Sequence, residues 1–92
     1  MESGDERATD LAALLAGLRR WRGLSKIAAA NASGVQPATV ASLERVGSDP
    51  RISTLCRYAA GLGGSVELVV RDRATGEAVG RVALPALDDP VP

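Results

Sequence analysis

The sequence has no histidine and no phenylalanine, a single tryptophan, a single tyrosine and one cysteine. Without histidine it lacks the commonest general base and metal ligand. The lone Cys56 can supply neither the thiolate cluster of a metal site nor an internal disulfide. Acidic residues are not paired on one face, and Ser25, Ser33 and Ser42 have no neighbouring base. The expectation is therefore a protein that is not an enzyme and needs neither metal nor cofactor. Apolar runs fall well short of the roughly 18–20 residues a membrane span requires. No signal-peptide pattern opens the chain, and such cysteine usage fits a reducing cytoplasm.

What is present is small and aliphatic: of 92 residues, 16 are Ala and 22 are Leu, Val or Ile. That length accommodates one domain with a thin core, whose helices must approach closely and which association with a second copy would complete. Net charge is zero but unevenly spread: −3 over residues 1–18, +5 over 19–57 and −2 over 58–92. A basic middle between acidic ends is the pattern of one electropositive face. Charge alone leaves open the alternative that these cations simply solvate helices.

Periodicity predicts four helices and a β segment. Glu6 to Arg22 carries Leu11, Leu14, Leu15, Leu18 and Trp21 on one stripe, with Ser3 or Asp5 as cap and Gly23 as stop. Ser25 caps a short alanine-rich helix, Lys26 to Ala32, which Ser33-Gly34 ends. Pro37 suits a first helical position, where its missing N–H costs nothing. A third helix is thus expected from Pro37 to about Arg45 with Gln36 as cap. Ser53 caps a fourth, Thr54 to Leu62, burying Leu55, Ala59 and Leu62. The period then falls to two, with Val66, Leu68 and Val70 inward and Glu67, Val69 and Arg71 outward. A turn over 73–77 and a second strand, Ala78 to Leu84, would make a hairpin. The expected boundaries are a flexible N-terminus over 1–5, a helical unit over 6–64, a β segment over 65–84 and a flexible tail over 85–92.

Two short helices joined by a glycine turn form a helix-turn-helix candidate. Ala30 sits at the close crossing, Gly34 makes the turn, and Val35, Val40 and Leu43 point inward. Pro37, Ala38, Thr39 and Ser42 are left on the outer face, at the end that enters the major groove in this motif.

From about Leu11 to Leu62 the chain resembles the XRE (Cro/C1-type) helix-turn-helix family. The matching residues run without a gap: Arg-Gly-Leu-Ser (22–25), Ala30, Gly-Val (34–35), Ala-Thr-Val (38–40), Leu-Glu-Arg (43–45), Asp-Pro (49–50) and Ile-Ser-Thr-Leu (52–55). The resemblance implies a mainly α, lambda-repressor-like bundle, its fifth helix replaced by or merged into the β segment. It implies a sequence-specific double-stranded-DNA-binding transcriptional regulator, a repressor acting as a homodimer. Carried over by position, Gln36, Pro37, Ala38, Thr39 and Ser42 would meet bases, and Arg22, Lys26, Arg45, Ser48 and Arg51 would meet phosphates. Glu44 would hold the recognition helix in place. Ala29 stands where the family usually has leucine, and Trp21 or Ile27 is expected to fill the space, so that Trp21→Ala would cost about 3 kcal/mol or more. With neither Asn nor Arg at the exposed start of the recognition helix, readout would lean on shape and backbone contacts.

Residues 53–70 resemble the end of HigA- and HipB-type antitoxins, in which a last helix, a glycine pair and an apolar strand follow the DNA-binding unit. This implies an autoregulating antitoxin with a toxin partner, and Val66, Leu68 and Val70 as a dimerisation or toxin-binding strand. A strand packed only on its own hairpin partner stays open as the plainer reading. So do a phage-type or restriction-modification controller without a toxin, and a protein-interaction module that keeps the fold without binding DNA.

Overall fold

The computed structural model describes residues 10–84. The expected flexible ends (1–5 and 85–92) and the caps Ser3 and Asp5 lie outside the described residues. Four helices come first: α1 (Leu11–Trp21), α2 (Lys26–Ser33), α3 (Pro37–Leu43) and α4 (Ile52–Gly61). Two antiparallel strands follow, β1 (Val66–Arg71) and β2 (Ala78–Leu84). No described helix is long and apolar enough to cross a membrane.

Two of the four helix starts differ from expectation. Asp10 has extended backbone, and its carboxylate accepts a 2.8 Å bond from the Ala13 N–H, so α1 begins at Leu11 and not at Glu6. An aspartate that satisfies an orphan N–H is a stronger start signal than the helical composition before it. Similarly, α4 begins at Ile52 after Arg51, with no side-chain cap from Ser53. Ser25 caps α2 as expected, accepting from the Ala28 N–H at 3.0 Å. Gly34 closes α2 in the left-handed region (φ 75°), a conformation most side chains resist.

The core is built on Leu15, Ala29, Ala30, Val35, Val40, Leu43, Tyr58 and Leu62. The buried side of α1 is Ala12, Leu15 and Ala16, rotated from the expected leucine stripe. Leu11 and Leu18 are partly buried, whereas Leu14 is 54% and Trp21 75% exposed. Ile27 is also exposed. Neither Trp21 nor Ile27 fills the space beside Ala29. Tyr58 does: it is the largest fully buried side chain, reaching the small-residue centre from α4.

Gly61 has a structural role beyond ending α4. A Cβ added there would lie 2.6 Å from the Ser33 Cβ and closer still to its Cα. The ends of α2 and α4 therefore touch backbone to backbone. On that contact Ser33 is buried, donating from Oγ to the Ala29 carbonyl at 2.8 Å.

In the hairpin, Val66 pairs with Leu84, Leu68 with Val82 and Val70 with Gly80, which gives one apolar face. Burial on this face stops near its base: Leu84 is buried and Val66 half-buried, but Leu68, Val70 and Val82 are exposed. Val79 is exposed as well, while Val69, expected outward, is half-buried. The alternation expected to mark a buried face thus marks a face that this chain leaves open.

Candidate nucleic-acid interface

The helix-turn-helix unit is α2, Gly34 and α3, and its orientation is set by one polar network. Arg19, in the last turn of α1, grips Glu44 with two bonds, Nε to Oε2 at 2.7 Å and Nη2 to Oε1 at 3.0 Å. Its Nη1 donates to the Leu24 carbonyl at 2.9 Å, and the Tyr58 hydroxyl donates to Glu44 Oε2 at 3.2 Å. The C-cap of α3 is thereby tied to α1, to the loop before α2 and to α4. The side chains of Arg19 and Glu44 are only 12% and 5% exposed.

Burial pushes the Glu44 carboxyl up, but the Arg19 bond and charge outweigh it, with help from Tyr58 and Lys26, and hold it below its ordinary value. The bond to Glu44 raises Arg19 above its ordinary value. Burial first, and the Glu44 charge second, push the Tyr58 phenol up to about 12. At neutral pH the network therefore holds one carboxylate, one guanidinium and one neutral phenol.

With Glu44 turned inward, the outer side of α3 carries no carboxylate. Gln36, Pro37 and Ala38 are exposed, and Thr39 and Ser42 half-buried. Thr39 and Ser42 share an open cleft of about 250 Å³ with Ser48, Asp49, Arg51 and Thr54. The fold thus brings two expected base-contacting residues beside two expected phosphate-contacting ones. Lys26 is exposed at the start of α2, and Arg45 is exposed just past α3, its Nη2 donating to Ser42 Oγ at 2.9 Å. Arg22 is engaged elsewhere: it donates to the Gly63 carbonyl at 3.3 Å, and its guanidinium lies 4.6 Å from the Trp21 ring centroid. Asp49 is the one carboxylate in the cleft.

Sequence reasoning gave Glu44, from resemblance, the role of holding the recognition helix and its arginine neighbours, but named neither Arg19 nor Tyr58 as its partners. Tyr58 could have been found, since Leu55, Tyr58, Ala59 and Leu62 share one helical stripe. Arg19 falls on the stripe of Ala12, Leu15 and Ala16, where a cation needs a buried partner.

A helix-turn-helix domain family matches residues 10–73, well over half of the chain. Together with the α2–Gly34–α3 geometry this decides the assignment. The chain is an XRE-type helix-turn-helix protein. Antitoxin HigA1 of Mycobacterium tuberculosis, in strains CDC 1551 / Oshkosh and ATCC 25618 / H37Rv, is 40% identical to it over 65 residues. That match takes in 71% of this chain and 44% of the relative, so the XRE-type chain aligns with less than half the length of these curated relatives. The crystal structure of an HTH_3-family transcriptional regulator from Vibrio cholerae superposes with a TM-score of 0.57 at 44% identity. It covers 60% of the XRE-type chain and 31% of its own.

Proposed function

We propose that the protein is a sequence-specific double-stranded-DNA-binding transcriptional repressor acting as a homodimer in the cytoplasm, and an antitoxin that represses its own operon. Residues 6–64 form the DNA-binding unit and 65–84 the dimerisation segment. One observation carries this reading. The outer face of α3 is uncovered and flanked by exposed Lys26, Arg45 and Arg51, while Glu44 is withdrawn onto Arg19. In this motif such a face lies in the major groove, with flanking cations such as Lys26 and Arg51 on phosphates. The likeness to a relative named as an antitoxin supports the finer role, in which a toxin protein is the second partner.

Fluorescence anisotropy with labelled duplexes tests the DNA reading. A dimer that neutralises about 6–10 phosphates loses roughly 10³–10⁵-fold in affinity between 50 and 200 mM salt. Lys26→Ala and Arg51→Ala should each weaken all duplexes alike. A flat salt response, or indifference to DNA, would instead favour a protein-interaction module. Co-purification with the product of an adjacent short reading frame tests the antitoxin role, and its absence would leave a regulator without a toxin.

A further inference from the structure

The recognition helix looks poorly equipped to read guanine. Pro37, Ala38, Thr39 and Ala41 offer no fork of donors, and Gln36 suits adenine. Arg45 changes that account. It lies just beyond the C-cap of α3, yet its side chain turns back along the helix, so that Nη2 donates to Ser42 Oγ one turn earlier at 2.9 Å. Resting on the DNA-binding reading above, we propose that Arg45 is the guanine-reading residue of this protein and that Ser42 is its positioning residue. These roles replace the ones expected from the sequence, where Ser42 meets a base and Arg45 a phosphate.

Three features carry the assignment. The first is reach. The guanidinium folded back from the far end of α3 lies beside Ser42, one turn nearer the end that enters the groove in this motif. The second is donor supply. Of five guanidinium N–H groups one is committed to Ser42, and four remain for guanine O6 and N7, which need two in one plane. The hydroxyl fixes that plane beforehand, which lowers the ordering cost of binding. The third is charge. The adjacent Glu44 is held by Arg19 and does not compete for Arg45, and the cleft's carboxylate, Asp49, forms no ion pair with it. Arg51 and Ser48 line the cleft on its loop side, placed to meet the sugar-phosphate backbone.

The test selects duplexes from a randomised library with the full chain, then measures affinities of the selected and scrambled duplexes for variants. Arg45→Lys keeps the charge and loses the fork. It should bind the selected duplex roughly ten- to hundredfold more weakly, leave scrambled duplex unchanged and lose preference at a guanine position. Ser42→Ala should blunt the same preference, and Ser42→Thr, which keeps the hydroxyl, should restore it. If Arg45→Lys selects the same sequence, or Arg45→Ala weakens every duplex equally with a salt slope smaller by about one, Arg45 is a phosphate contact and the inference is overturned while the regulator reading stands. A wild-type protein that prefers no duplex overturns both.

Discussion

The aromatic residue in the core is Tyr58 and not Trp21, the one expected from the sequence to pack there. Tryptophan is the larger and more apolar, yet Trp21 is 75% exposed and Tyr58 is fully buried. The deciding factor is the pairing available at each site. Tyr58 fills the alanine-lined centre with its ring while its hydroxyl meets Glu44, which satisfies both parts of an amphipathic side chain. Tyr58→Ala should cost about 3–5 kcal/mol, whereas Trp21→Ala should stay within about 0.5 kcal/mol. Urea denaturation midpoints measure both. Tyr58 is the sole tyrosine, so phenolate absorbance follows it directly and should titrate near 12 in the folded protein. Its folded pKa lies above the unfolded value of about 10. Its contribution is therefore complete below pH 10 and lost as pH rises toward about 12, a loss that Tyr58→Phe removes. Glu44 has the opposite sign. Its lowered pKa contributes stability above the unfolded value of about 4.3, lost as pH falls through the folded value. Glu44→Gln should lower stability at neutral pH and flatten the acid limb of stability against pH.

At the level of elements, strong local chemistry made the fold legible. Ser25, Gly34 and Pro37 each act within their own turn, and α2 and α3 begin where they predict. The stripe of α1 was misread because leucine is a strong hydrophobic signal and alanine a weak one. In a core of small residues, the alanine side packs closest and the leucines move to the rim. The close approach at Gly61 was hidden for a similar reason, since no local pattern reveals a contact with Ser33 across 28 positions of chain. A paired comparison separates the two kinds of glycine. Gly17 lies mid-helix with nothing near a prospective Cβ, so Gly17→Ala should stabilise by about 0.5–1 kcal/mol. Gly61→Ala drives a Cβ into the Ser33 backbone and should destabilise by about 1–3 kcal/mol. Thermal melts of the two variants should move in opposite directions. Among the expected site residues, those on the outer face of α3 were legible from the inward placement of Val35, Val40 and Leu43. The bond between Ser42 and Arg45 was not, because a side chain's direction beyond a helix end depends on rotamers that sequence does not specify.

For the molecule as a whole, the hairpin poses the largest unbalanced demand. Isolated two-stranded hairpins are marginal in water, and here Leu68, Val70 and Val82 face solvent on one side, with exposed Val79 beside them at the register shift. At its base an open groove of about 440 Å³ runs between Leu11, Leu14 and Leu18 of α1, Leu55 of α4, and Val66 and Leu68 of β1. An exposed apolar sheet face continuous with an apolar groove is a surface for association. In the proposed homodimer a second copy would meet it with the same surface, and two-fold symmetry would then set two α3 helices against successive turns of one duplex face, with half-sites about 10 bp apart. Leu68 belongs to both the sheet face and the groove, so a charge there opposes association without entering the helical core. Leu68→Glu should convert a dimer to a monomer by light scattering while the thermal transition of the helical unit persists. Its affinity for a duplex with two half-sites should fall to that for one half-site, a loss of roughly 10²–10⁴-fold once the second contact ceases to be intramolecular. A wild-type protein that is monomeric at the same concentration, or a Leu68→Glu variant with undiminished two-site affinity, would show that the open face serves some other partner.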